Sequence, residues 1–311
     1  MRDDKGATDA QRAFREELLS HELLISSGVA GLFGWGATFT SIVAGVEACV
    51  TRAAQAEQVT QMSFPPLIPR AQLERSGYLR SFPHLAGTVF AFEGGEEDAA
   101  RLGDLVAAGT DWSDTQTMSD LALTPAACYP VYPAIASRGA IPPGGITVDT
   151  GGAYAFRHEP SADPARQQMF HIRELVRFGL PEEVASWRDR WRDAANALIS
   201  SLGLEVQDAV ASDPFFGRGG RLLARSQEAQ SLKHELQVDL GGKTKTAIAS
   251  VNYHQDHFAS LYGLKMDRDD SPTHTACLGF GLERIALALL WQHGLAVTRW
   301  PLAVREALDL L

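Results

Sequence analysis

The chain has 311 residues and 33.7 kDa, with 45% hydrophobic and 21% charged residues, the composition of a globular protein rather than a disordered one. Its 28 Lys+Arg against 38 Asp+Glu leave a net charge of −10, which argues against a broad polyphosphate-binding face because such faces need clustered positive charge. Three cysteines without a CxxC pair, Cys49, Cys128 and Cys277, exclude a disulfide scaffold or zinc finger. They permit a metal site assembled from distant segments.

In chain order, Phe14, Leu18, Leu19, Leu23 and Leu24 fall near helical spacing and predict a helix over 9–25. Leu23 to Val46 holds no charge, long enough to raise a membrane span. Five glycines break it, and acidic residues precede it where a signal peptide would be basic. Buried globular structure is expected, and with free cysteines and no export signal the default location is the cytoplasm. A turn at 28–36 leads to a helix over 38–56, with Cys49 as core. Residues 64–70 read as extended, 93–123 as mixed loop and helix, and 129–145 as irregular or edge strand.

Strands are predicted at 146–159 and 168–176, then a helix over 181–202 opened by Pro181. Gly217–Gly220 reads as a loop, 232–239 and 246–252 as strands, and 276–280 as a strand entering a helix at 281–292. Strands in pairs predict an α+β fold, an antiparallel sheet with packed helices. GGKT (241–244) lacks the earlier glycine of a phosphate loop, since position 237 is Gln, and reads as a hairpin turn. HQDH (254–257) lacks the Glu of a zinc-protease helix and reads as structural or as a neighbour of a site.

Three segments carry the chemistry: FRHE (156–159) followed by RQQMFHIRE (166–174), TAIASVNYHQD (246–256) and GFGLER (279–284). Period 2 puts Arg157 and Glu159 on one face of a strand end. Arg157, Arg166 and Arg284 brought together would hold a triphosphate, because the guanidinium fork bonds phosphate oxygens in pairs. Read from the residues alone, Cys128 and Cys277 are equally two buried core cysteines.

These segments resemble motifs 2 and 3 of the class II aminoacyl-tRNA synthetases, and most closely the seryl-tRNA synthetases. FPPLIPRAQLERSGYLRSFP (64–83) resembles the dimer-forming motif 1. The resemblance spans residues 30–311, after an N-terminal helical segment at 1–29, and implies the class II catalytic fold and a homodimer. The long helical arm that grips tRNA in that family has no counterpart in the sequence given, and no anticodon domain follows Arg284. The pattern resembles the truncated homologues that act as amino acid:[carrier protein] ligases, adenylate-forming enzymes with a phosphopantetheinylated carrier protein and no tRNA as acceptor.

The resemblance implies zinc on Cys128, Glu174 and Cys277, with Glu174 also meeting the substrate. It implies ATP, arriving with Mg²⁺, on Arg157, Glu159, Arg166, Gln167, Lys233, Arg284 and the backbone of Ala247, Ile248, Ala249 and Ser250. Arg157 and Arg284 would be catalytic. Thr246 stands where the family carries a magnesium-binding Glu. The substrate expected is glycine, with alanine second, since Ala247–Ala249 offers no serine-type partner for a hydroxyl. Arg218, Arg221, Arg225 and Lys233 within 216–235 suggest a carrier-docking insertion near 212–232. Two other readings stand beside this one: a tRNA ligase that borrows its tRNA-binding partner in trans, and a non-catalytic amino acid- or ATP-binding paralogue.

Overall fold

In the computed structural model of the protein the described residues are 7–267 and 272–311; the first six residues of the expected N-terminal segment lie outside them. Helix α1 (Asp9–Ser20) begins at a reciprocal cap, with Thr8 Oγ1 accepting from Gln11 N at 3.2 Å and Gln11 Oε1 accepting from Thr8 N at 3.0 Å. It ends before the predicted residue 25 because Leu24 already pairs in the hairpin β1 (Leu24–Ser26)–β2 (Phe33–Trp35). Helix α2 (Ala37–Ala54) follows, then β3 (Val59–Gln61).

The next segment builds a small sheet: β4 (Leu67–Pro69), α3 (Arg70–Arg75), α4 (Tyr78–Ser81), β5 (Thr88–Ala91), α5 (Glu96–Ala107) and β6 (Thr117–Leu123), in the order β4-β6-β5. Residues 131–136, expected as irregular or strand, form helix α6 (Val131–Ala136). Pro130 and Pro133 fall at the cap and first turn, where no N–H is needed.

The central sheet takes β7 (Ile146–Asp149), β8 (Ala153–Phe156) and β9 (Met169–Gly179). The predicted strand 146–159 is split by a turn at Gly152, whose φ of +67° suits glycine. Helix α7 (Pro181–Ser201) opens at Pro181 as predicted. Then come β10 (Gln207–Val210), α8 (Gly217–Ala229), β11 (Lys233–Val238), β12 (Thr246–Gln255), α9 (His257–Tyr262), β13 (His274–Gly281), α10 (Leu282–His293) and α11 (Leu302–Ala307). The Gly217–Gly220 loop is instead the first turn of α8. A Cβ on Gly220 would sit 2.7 Å from the Phe215 backbone, so glycine lets the helix start flush on that residue. The GGKT segment links β11 to β12, with Gly241 at φ +70°.

The sheet order is β10-β11-β12-β13-β9-β7-β3, with β8 also on β9. Neighbours are antiparallel except β3 and β7. The alternation of side chains then assigns the two faces. Leu175, Leu236, Val251, Ala276, Leu278 and Phe280 point into the main core with α2, α7 and α10. Phe14 and Leu18 of α1 join that core, as does the uncharged stretch through Leu23, Leu24, Phe39, Ile42 and Val46. Burial of each Val, Leu, Ile or Phe side chain among these contributes about 1.5–3 kcal/mol. No helix of the described residues is long and apolar enough to cross a membrane.

Neighbouring residues of β9 serve the two faces. Arg173 points toward α2, paired with Asp149 (Nε to Oδ1 3.0 Å) and donating to Glu47 O, with both ion-pair partners buried. Breaking a buried pair leaves an uncompensated charge and costs about 3–5 kcal/mol. Asp149→Ala is therefore expected to lower unfolding free energy by that amount in a urea titration; a loss below 1 kcal/mol would contradict it.

Candidate active site

The opposite face of the sheet floors a cavity of about 970 Å³. Ile172 and Glu174 come from β9, Cys277 from β13, Ser250, Asn252 and His254 from β12, and Lys233 from β11. Register explains the convergence: Gly279 pairs with both Ser250 and Glu174, and Asn252 pairs with both Cys277 and Lys233. A Cβ on Gly279 would approach Glu174 Oε1 to 3.2 Å, so the missing side chain leaves the floor open there. Cys128 reaches the same floor from the turn before α6. Segment 74–82, through α3 and α4, walls the cavity.

The ligand atoms of Cys128, Glu174 and Cys277 lie within 4.8 Å of one another, and all three residues are buried. The Cys128 N–H donates to Glu174 Oε2. Burial and the nearby Cys277 push the Glu174 carboxyl up to about 8, against the hydrogen bonds from Cys128 and the charge of Arg157. A hydrogen bond between the two thiols, with burial, raises Cys128. The same bond, helped by His254 and Asn252, holds Cys277 well below the ordinary thiol range. Asn252 Nδ2 donates to Cys277 Sγ at 3.5 Å and His254 Nε2 lies 3.6 Å from that sulfur. Two soft thiols and one carboxylate at this spacing suit zinc, with three protein ligands and one open tetrahedral position.

The arginines surround the other end of the site. Arg157 lines the cavity, but β8 stops at Phe156. The expected shared face of Arg157 and Glu159 is therefore not realised: Glu159 turns to Arg166 at 3.6 Å instead. Arg284 donates from Nε to Ala165 O at 2.9 Å and from Nη1 to Ala247 O at 3.0 Å, and its guanidinium lies 5.8 Å over the Phe170 ring. Burial pulls Arg284 down to about 10, and the charges of Arg166 and Arg157 add to this. The three arginines thus act on one another as a cluster.

Other expected residues are placed differently. Gln167 is buried, donating to Pro164 O at 3.3 Å. Lys233 faces the cavity already paired with Asp213 at 2.7 Å and Glu235 at 3.1 Å. Ile248 and Ala249 pack their side chains in the core, which leaves only their backbone for a ligand, and Ser250 and Asn252 line the cavity. Thr246 is buried.

Asp213, Tyr78 and Tyr129 escaped the sequence reading. Burial pushes Asp213 up, but Lys233, Gln227 and Arg157 outweigh it and hold the carboxyl below its ordinary range. SDPFFG (212–217) signals only a turn, so nothing local marked Asp213. Helix α8 roofs the cavity through Leu223, Ser226, Gln227 and Gln230. It is tied down by Phe215 stacked on Phe82 at 5.0 Å and by Gln227 Nε2 donating to Asp213 Oδ2 at 2.9 Å.

Two curated proteins of Bradyrhizobium diazoefficiens resemble the chain along almost its whole length. Amino acid–[acyl-carrier-protein] ligase 1 is 42% identical over 293 residues, 94% of this chain and 89% of that protein. Ligase 2 is 43% identical over 296 residues, 94% and 86%. The chain belongs to the amino acid–[acyl-carrier-protein] ligase family. Beyond this family, the type-2 serine–tRNA ligase of Methanopyrus kandleri is 25% identical over 79% of this chain and 50% of its own length. No family model matches the chain. Among solved structures, M. kandleri SerRS in complex with A. aeolicus tRNASec superposes with a TM-score of 0.79 at 21% identity, over 99% of this chain and 61% of that one. Giardia lamblia prolyl-tRNA synthetase with prolyl-adenylate gives 0.66 at 14%, over 90% and 52%. Both establish the class II α+β fold of this ligase.

Proposed function

We propose that the chain activates a small amino acid, glycine or alanine, with ATP and transfers it to the phosphopantetheine thiol of a carrier protein. The observation that carries this reading is the convergence of the buried Cys128–Glu174–Cys277 cluster and Arg157 on one cavity. Cys128, Glu174 and Cys277 would hold zinc, which when bound supplies an open coordination position for the substrate amino group. Positioning, not covalent catalysis, then lowers the barrier.

In the first step a carboxylate oxygen of the amino acid attacks the α-phosphorus and pyrophosphate leaves. Arg157 sits where it can meet the charge developing on the α-phosphate. Arg166 and Arg284 hold the outer phosphates, and Mg²⁺ arrives with ATP. Glu159 meets the adenine amino group or orders the loop through Arg166. Gln167 holds the Pro164 turn, Lys233 borders the pocket, and the backbone of Ala247–Ser250 completes it. In the second step the carrier thiol sulfur attacks the acyl carbon, AMP leaves, and the thiol proton passes to solvent. Ile172, Asn252 and Tyr129 bound the space beside the cluster, which suits a small side chain. Exchange of pyrophosphate into ATP, run over all twenty amino acids, tests the reading; preference for a large amino acid or acylation of tRNA overturns it.

The carrier fits α8. Arg218, Arg221, Leu222, Leu223 and Arg225 are exposed on a helix whose only buried residue is Gly220, beside the cavity that the thiol must enter. An acidic carrier would meet a basic, apolar face there. Arg221→Glu/Arg225→Glu is expected to raise the KM for the carrier at least about tenfold while pyrophosphate exchange stays within twofold. An unchanged carrier KM would contradict the docking site. The same reading carries the homodimer implied by resemblance and a cytoplasmic setting; sedimentation of the purified protein tests the first by mass.

A further inference from the structure

Behind the Phe170–Arg284 contact lies a second pair, one residue along on each element. Glu283 on α10 is 1% exposed. Its Oε1 accepts from the His171 backbone N–H at 2.6 Å and lies 3.0 Å from His171 Nδ1. Its Oε2 is buried without a partner among the described residues. The imidazole packs in tilted contact against Tyr154, at 3.7 Å between centroids, and Trp35, at 4.7 Å. Stability alone would favour an apolar residue over a half-satisfied buried carboxylate, so the geometry that Glu283 imposes is the better account of it.

The place of the pair defines that geometry. The β9–β13 ladder ends at Ile172 opposite Gly281, and Glu283 takes the next N–H of β9 in place of a backbone partner. We infer that Glu283 and His171 are positioning residues for the nucleotide. Their bond fixes the first turn of α10 against β9 and so sets the spacing of Arg284 from Phe170, the residues next to them in the chain. Arg284 meanwhile bonds Ala165 O and Ala247 O, so the 283–284 dipeptide ties β9, β12 and the loop before β9 into one frame. This inference rests on the nucleotide site of the proposed function.

The test is ATP affinity by titration of the purified protein, with pyrophosphate exchange in parallel and thermal melts to establish folding. His171→Phe keeps an aromatic ring against Tyr154 and Trp35 but removes the Nδ1 partner of Glu283; Glu283→Gln keeps an acceptor oxygen. His171→Phe is expected to weaken ATP binding and raise the ATP KM about tenfold, the scale of one misplaced charge-assisted hydrogen bond. The amino acid KM should stay within about twofold, and Glu283→Gln should retain most of the ATP affinity. Should His171→Phe not fold, His171→Phe/Glu283→Leu, which makes both partners apolar, is expected to show the same ATP defect. Wild-type ATP affinity in a folded His171→Phe or double variant, or an amino acid KM that rises in step with the ATP KM, overturns the inference. A wild-type protein that binds no ATP overturns the proposed function itself, and this inference with it.

Discussion

Cys277→Ala is expected to lose both bound zinc and amino acid activation. The cysteine supplies one of two sulfurs in a three-residue cluster, and its removal leaves one thiol and one carboxylate, too few for tight zinc binding. Even residues that only orient metal ligands cost 10–100-fold when removed, so a fall of at least about 100-fold in pyrophosphate exchange is expected. Metal analysis of the purified variant is the decisive measurement; a full equivalent of zinc would exclude Cys277 as a ligand. Cys49→Ala is the control, since Cys49 hydrogen-bonds Ala307 O from α2 in the main core, away from the cavity.

The same cluster sets a pH dependence. In the metal-free protein burial and the neighbouring Cys277 hold the Glu174 carboxyl up at about 8, well above the ordinary carboxylate range. The folded state therefore keeps a proton that the unfolded state releases. The contribution of Glu174 to metal-free stability is fully present below the ordinary carboxylate range and is lost as pH rises through about 8, while the lowered Cys277 thiol contributes in the opposite sense. Zinc uptake needs the carboxylate and so releases that proton, which makes affinity strengthen over the same window. Denaturation of the chelated wild type and Glu174→Gln at pH 5 and pH 8 tests the sign; a wild-type stability that gains on the variant from pH 5 to pH 8 would contradict it.

The second large effect is expected from Arg157→Ala, with adenylate formation falling about 10²–10³-fold, the loss of 3–4 kcal/mol typical when one preorganised donor to a developing charge is removed. Arg157 is the one member of the arginine cluster that also lines the cavity holding the cysteine cluster. Its removal should lower kcat more than it raises the amino acid KM. An equal defect from Arg166→Ala would disprove the special role, because Arg166 is half-exposed and engaged with Glu159.

Most of the frame was legible because periodicity reports burial. Helices α2, α7 and α10 and strands β11 and β12 were foreseen within a few residues. The Cys128–Glu174–Cys277 cluster was legible only through resemblance: its members are far apart in sequence, and no local pattern ties Cys128 to Glu174. Short elements escaped. The β10 strand and the β1–β2 hairpin carry too few residues to show a period, and α6 was hidden by its prolines. Helix α8 was misjudged at its start because glycines marked a loop, whereas close packing on Phe215 required one of them. Which side chains of β12 face the cavity was hidden for a different reason. Sequence alignment places a residue on a strand, but only the packing of that strand decides which side chains face the cavity.

Strand β9 bears on how the chain acquires its fold. It pairs with β7 and β8, made shortly before it, and with β13, made about a hundred residues later. Half of its ladder must wait for a distant segment, and such long-range pairing is slow. During synthesis the β13 edge of β9 stays open until most of the chain has emerged, a surface prone to mispairing. The Cys128–Glu174–Cys277 cluster shares this delay, since Cys277 lies on β13. Under the proposed function, zinc loading would be a late event that reports completed folding.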